Sequence, residues 1–198
     1  MEKYKIHTDY KKLLADTFTP INIYLKLRDK FPNSILLESS DYHSSENSSS
    51  FICCNPIAVF KVQDELISEV LPDGKEVVTD ISTNASVLDS VRLFAGKFVI
   101  DGNSNFISSS LFGFTSYDAV RYFEDVVLAL KRNEKKNIPD MVYCMYQFVI
   151  AVNHYNDELF IFENTCKGVK NDFTLDYIES LISNRNVARY KFSKQGNE

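Results

Sequence analysis

Apolar residues recur along this chain at two different periods, and the switches between them predict a mixed domain. Residues 4–9 alternate weakly, as a short strand does. Thr19-Pro20 then offers a hydroxyl N-cap followed by proline at the first helical position, where its missing N–H costs nothing. Ile21, Tyr24, Leu25 and Phe31 follow at helical spacing, so the helix runs to about Lys30 and stops at Phe31-Pro32-Asn33. Residues 34–38 form the next strand, ending on Glu38. The polar tract 41–50 has little to bury and predicts a loop. Two β-prone segments, 51–54 and 57–62, are divided by the turn pair Asn55-Pro56. Segments 65–71 and 75–81 flank Pro72-Asp73-Gly74, which predicts a hairpin.

The second half repeats the alternation of styles. Val87, Leu88, Val91 and Phe94 or Ala95 make an apolar stripe on a helix over 84–97. Residues 99–109, rich in polar side chains, predict an exposed loop. A strand over 111–115 with Gly113 at its centre leads into a helix over 116–124 carrying Asp118 and Arg121, whose spacing of three lets them pair on one face. The long apolar run 141–152, broken only by Gln147, is a strand that turns at 153–157 and pairs back through 159–162. Residues 171–183 close with a helix on Phe173, Tyr177, Ile178 and Leu181. Strands arrive in hairpins instead of alternating with helices, which argues against a doubly wound parallel sheet. The expected class is α+β, a sandwich of mostly antiparallel sheets with four or five flanking helices, in one domain over 1–188. The unpatterned 189–198 reads as the start of a linker.

Composition supports a packed globule. With 198 residues, 44% hydrophobic and 25% charged, the chain has enough apolar surface for one substantial core. That core is aromatic: 15 Phe and 11 Tyr, but no Trp. A net charge of −5 gives no general attraction for a phosphate backbone or an anionic membrane. The basic run 131–136 contains one acid and no aromatic, as a solvated loop does. Residues 1–9 lack the apolar stretch of a secretory leader, and the longest apolar run is well short of a membrane span, so a soluble, cytoplasmic protein is expected. Cys53 and Cys54 are neighbours on a strand and face opposite ways, which argues for buried free thiols rather than a shared metal or disulfide. His7, His43 and His154 form no ligand-spaced pair.

Standard catalytic signatures are absent: no phosphate-binding glycine loop, no GxSxG, no HExxH. The one unusual polar feature is the pair Glu38 and Ser39 at the end of Ile35-Leu36-Leu37. A carboxylate is costly to bury without a partner. Either the pair leaves the sheet edge for solvent and starts a turn, or it serves an amino-acid ligand. In the second case the carboxylate would accept from an α-ammonium, the hydroxyl would donate to an α-carboxylate, and the sheet core would take the apolar body.

The segments ILLESSD at 35–41, SFICCNPIAVFKV at 50–62, LFGFTSYDAVRYFE at 111–124 and PDMVYCMYQFVIAVNHYNDELFIF at 139–162 resemble, in order and spacing, the N-terminal region of anthranilate synthase component I; the opening PINIYLKLRD is similar to that family's first helix. The resemblance implies a regulatory and structural domain of an enzyme that aminates chorismate, releases pyruvate and yields anthranilate, using magnesium and ammonia from a glutamine amidotransferase subunit, component II. It also implies that the chorismate-binding catalytic domain and its magnesium acids lie beyond this segment, so no catalytic or metal residue is assigned and the segment alone should be inactive. By the same resemblance Glu38 and Ser39 belong to a feedback site for L-tryptophan, although Ser48 and Ser49 stand where the family often has a basic residue. Aminodeoxychorismate synthase component I, of folate synthesis, shares the N-terminal architecture, and a stand-alone amino-acid-binding module is the reading from another class.

Overall fold

The computed structural model describes residues 3–38, 48–81, 86–101, 108–126, 138–169 and 171–184. In chain order these form β1 (Tyr4–Leu14), α1 (Pro20–Arg28), β2 (Ile35–Leu37), β3 (Ser49–Gln63), β4 (Leu66–Val70), β5 (Glu76–Asp80), α2 (Val87–Ala95), β6 (Phe98–Asp101), β7 (Phe112–Thr115), a 3-10 helix (Tyr117–Tyr122), β8 (Met141–Asn153), β9 (Glu158–Cys166) and α3 (Leu175–Ser183). The α+β class and the mostly antiparallel pairing follow the sequence. All nine strands join one hydrogen-bonded sheet, in the order β5-β4-β3-β8-β9-β1-β6, with β2 added to β3 and β7 to β8.

The long antiparallel pair β3–β8 is the spine. Each of its strands has two neighbours on its outer edge. β3 carries β2 at Phe51, Ile52 and Cys53 and β4 from Val59 to Gln63; β8 carries β7 from Met141 to Cys144 and β9 from Phe148 to Asn153. The spine therefore belongs to two sub-sheets, and strands that pass from one layer to the other are how an antiparallel sandwich turns its corners. The turn is made at a bulge between Pro56 and Ala58. Asn55 takes φ 59° beside it, a left-handed conformation that asparagine tolerates. Asn55-Pro56, expected to separate two strands, thus bends a single one: proline has no N–H to contribute and sits where the ladder is already interrupted.

Three cores fill the layers. In the first, Tyr4 and Ile6 of β1 and Phe98 and Ile100 of β6 face Phe60, Val62 and Ile67, with Phe94 of α2 between them. The rings of Phe60, Phe94 and Phe98 touch in series, 5.6 and 5.2 Å between centroids. This packing explains a departure from the sequence. Residues 99–101, the start of the expected loop over 99–109, join Phe98 in a strand parallel to Tyr4–His7, because Phe98 and Ile100 have a core to enter. In the second core, α1 and α3 cover Ile52, Cys54, Phe148, Ile150, Leu159 and Ile161. The buried stripe of α1 is Ile23 and Leu27, continued by Phe31, while Ile21 is 53% exposed. α1 is apolar on more than one side, so its periodicity alone did not fix the face. The Lys26 ammonium ties the helices together, donating to the Ile182 and Asn184 carbonyls at 2.6 Å each. The third core, on the opposite side of the sheet, gathers Cys53, Phe112, Cys144, Tyr146, Val149 and Phe162, with Ile35, Phe51, Ala151 and Phe160 packed against it; none of its members is helical.

The caps are local and legible. Thr19, Ser86 and Thr174 each accept the main-chain N–H three residues on, at 3.2–3.3 Å, which satisfies a donor that would otherwise lack a helical partner. Gly74 has φ 81° in the β4–β5 hairpin, as the Pro72-Asp73-Gly74 signal requires. Among the described residues no helix is long and apolar enough to cross a membrane. The basic run 131–136 and the tail 189–198 lie outside the described residues.

Candidate functional site

Glu38 lies one residue past β2, whose register sets Leu37 opposite Phe51 of β3. β2 is positioned from its N-terminal side by Asn33, at φ 61°, whose carbonyl accepts from the Tyr146 hydroxyl at 3.0 Å. Glu38 is exposed. The desolvation cost anticipated for a strand-ending carboxylate therefore does not arise in this segment by itself, and the group is free to meet a ligand's cation from solvent. Ser39, the second candidate, lies outside the described residues, as do His43 and most of the polar tract 41–50. Beyond that tract Ser50 is buried, its hydroxyl lies 2.7 Å from His154 Nε2, and the His154 N–H donates to the Ser48 carbonyl at 3.0 Å. The β2 and β3 ends that flank Glu38 are anchored at both sides.

The segment GFTSYDAVRYFE contains β7 and the 3-10 helix. Gly113 is opposite Tyr143, and a Cβ at this position would lie 1.8 Å from the Val142 carbonyl oxygen and 2.8 Å from Tyr143 Cα. Close backbone approach, rather than loose packing, is why glycine is here. The expected Asp118–Arg121 ion pair does not form. The Arg121 guanidinium donates to the Asp118 main-chain carbonyl, while its carboxylate partner is Asp140 at 2.8 Å, with Glu65 at 3.9 Å. In the tight 3-10 turn the main-chain oxygen three residues back comes within reach first, and Asp140, held beside it by its own N–H to the Val62 carbonyl, supplies the charge. Tyr122 also donates to Asp140, at 2.9 Å; burial first, and that hydrogen bond second, push its hydroxyl up to about 12. The cluster is a brace between the 3-10 helix and the start of β8.

Two polar side chains organise the spine. In the sequence Gln147 is only an interruption of an apolar run. It is buried, donates to Glu163 and to the Phe173 carbonyl at 3.0 Å each, and accepts from Asn55 at 2.6 Å. Glu163 in turn accepts the Leu175 N–H at the start of α3, at 3.1 Å. Asn164, fully buried, donates to the Tyr146 and Ser108 carbonyls at 2.9 and 2.6 Å and accepts from Thr8 at 2.7 Å. It stands where β8 passes from its β7 partner to its β9 partner, and it satisfies a strand carbonyl there. A lone amide in an apolar run was the available signal for Gln147; nothing local marks Asn164.

All four cysteines are buried free thiols, and Cys53 and Cys54 enter opposite cores. Burial pushes both thiols up, away from the reactive thiolate. Among the described residues no three His, Cys, Asp or Glu side chains gather as a metal site.

No protein-family model matches the chain. Its curated relatives are nevertheless consistent. Anthranilate synthase component 1 of Lactococcus lactis subsp. lactis (strain IL1403) is 28% identical over 162 residues, 78% of this chain and 32% of that protein. The same component of Pseudomonas putida is 31% identical over 142 residues, 71% of this chain and 28% of that protein. Anthranilate synthase component I from Streptococcus pneumoniae TIGR4 aligns structurally over 86% of this chain and 35% of that one, at 18% identity and a TM-score of 0.46, too loose an overlap to transfer residues. The chain spans about a third of the length of the curated relatives it matches. It is thus similar to one region of longer proteins that share a single name. More particularly, it is a homologue of the N-terminal region of anthranilate synthase component I.

Proposed function

We propose that this chain is the regulatory and scaffolding region of a tryptophan-pathway enzyme that converts chorismate and glutamine-derived ammonia to anthranilate and pyruvate in the cytoplasm. The observation that carries the reading is the extent of the sequence match, 71–88% of this chain against relatives of one name. The chemistry belongs to the part of those relatives that this chain does not cover, where the magnesium-dependent chorismate site is assigned, and component II delivers ammonia to it. This region contributes a sheet scaffold and the allosteric site. Glu38 accepts the α-ammonium of L-tryptophan and Ser39 donates to its carboxylate, with the second domain closing over the indole. A ligand held better in one arrangement of the two domains shifts the population toward it, and inhibition needs nothing more.

Calorimetric titration with L-tryptophan tests the site. The isolated chain should bind no tighter than about millimolar, because half the pocket is elsewhere, and Glu38→Ala or Ser39→Ala should abolish the residual heat. The chain has no Trp of its own, so ligand fluorescence reports binding directly. Submicromolar affinity in the isolated chain would refute the shared pocket; residual binding unaffected by either substitution would reject the residue assignment.

A further inference from the structure

We infer that the cleft between α2 and the β7–β8 pair is a binding site for a small carboxylate with a compact apolar body, a site separate from Glu38 and Ser39 and independent of the function proposed above. The apolar stripe of α2 is wider than its contact with the core. Val87 and Phe94 are buried in the first core, whereas Leu88 and Ala95, with Val91 between them, line a cleft of about 430 Å³. Met141 and Tyr143 of β8 and Thr115 of β7 line it from the strands, on the face that alternation sets opposite Phe112 and Phe114. The volume lies within the range of small-molecule sites, about 300–1,000 Å³, and such sites share this character of apolar walls with a few polar groups.

Two polar features interrupt the apolar lining, and both suit an anion. Among the described residues that line the cleft, Arg92 alone is charged. Its guanidinium meets Asp89, one turn back on the same helix, through one nitrogen at 3.6 Å with both side chains mostly exposed, which leaves most donors of the planar fork to a ligand. The second feature is a hydroxyl pair, Thr115 Oγ1 and Tyr143 Oη, 2.9 Å apart. Two hydroxyls carry two protons and their mutual hydrogen bond uses one, so the other can be donated to an acceptor in the cleft. A carboxylate takes both kinds of contact, a charge-assisted one from the guanidinium and an O–H from the pair, while its apolar body covers Leu88, Val91 and Met141. An ammonium finds no carboxylate among the described lining residues, so a free amino acid fits this cleft worse than the same body without its amino group.

The test titrates the full 198-residue chain with 2-naphthoate, followed by the ligand's own fluorescence in a protein without Trp. Binding should saturate with a Kd of about 0.1–1 mM, as a ligand of this size allows. The neutral 2-naphthamide and the cationic 2-naphthylmethylamine should each bind about fivefold more weakly or worse. Arg92→Gln should weaken naphthoate about fivefold and remove the salt dependence of its affinity. Ala95→Phe fills the cleft from an exposed helix position and should abolish binding, while Leu93→Gln, on the same helix but outside the lining, should change nothing. Far-UV circular dichroism and urea midpoints equal to wild type establish that the variants fold, and the mostly exposed Arg92→Gln carries the test if Ala95→Phe shifts the midpoint. No saturable binding by the wild type overturns the site. Equal affinity for naphthoate and naphthamide, or an Arg92→Gln variant that binds as wild type does, overturns the ligand class. Naphthoate binding that survives in folded Ala95→Phe overturns the location.

Discussion

Replacing Asn164 with aspartate changes one nitrogen to oxygen and tests whether the amide holds the divided edge of β8 together. The amide's two N–H groups now reach the Tyr146 and Ser108 carbonyls, and its oxygen accepts from Thr8. In the variant, a carboxylate oxygen faces two carbonyl oxygens in a fully buried setting. Taking the donor away from two carbonyl acceptors costs about 1–3 kcal/mol each. Burial of the new charge adds to this, limited by the group's ability to take up a proton, so a loss of about 4 kcal/mol at pH 7 is expected, a large share of the 5–15 kcal/mol typical of a domain. With a urea m-value of about 2 kcal/mol/M the midpoint should fall by about 2 M. The sign with pH follows from the direction of the shift. The buried carboxyl titrates above its unfolded value of about 3.9, so the variant's deficit is smallest near pH 4 and grows toward pH 7. Asn164→Leu, without a charge, should show a loss independent of pH. An Asn164→Asp midpoint within about 0.5 M of wild type at pH 7, or a deficit flat from pH 4 to 7, would refute the role assigned to the amide.

Gly113→Ala should destabilise by about 3 kcal/mol, since its Cβ meets backbone at 1.8 Å and β7 must separate from β8; a urea midpoint unchanged from wild type would contradict the close approach. Tyr122 titrates in the fold at about 12 against an ordinary 10, so its contribution is intact below pH 10 and is lost as pH rises from 10 through 12. Because the group is partly exposed, the effect is about 1 kcal/mol, and the stability difference between wild type and Tyr122→Phe should shrink by that amount between pH 9 and pH 11.5 in urea titrations. Equal alkaline dependence of the two proteins would contradict a Tyr122 hydroxyl held up by burial and its Asp140 hydrogen bond.

Much of the architecture was legible because it is encoded locally. Thr19-Pro20, Pro72-Asp73-Gly74 and the β8–β9 hairpin signal act over a few residues, and each appears where the chain announced it. The departures share a different origin. Whether Asn55-Pro56 ends a strand or bends it depends on the length of the partner across the ladder, and β8 runs past both sides of it. Whether Phe98 and Ile100 form a loop or a strand depends on β1 being alongside, far away in sequence. Arg121 was legible as a charge needing a partner, yet Asp140 became that partner only through the packing of β7 on β8. The Glu38 position was visible because an apolar run stops on it; that the carboxylate is exposed reflects a three-residue strand that ends at Leu37 beside the sheet's edge.

The pairing of β1 with β9, from Ile6 opposite Cys166 to Leu14 opposite Glu158, sets an order of events during synthesis. Made first, β1 can find its partner only after on the order of 150 further residues have been polymerised, a wait of roughly ten to thirty seconds at cellular rates of translation. Until then the edge of β1 that β9 will cover stays bare beside the ring of Tyr10, the condition in which nascent chains aggregate or recruit chaperones. Closing so long a loop also places the protein among slow-folding topologies, whatever its final stability. Its yield in a cell is therefore governed by how the ribosome's product is sheltered before residue 166 emerges.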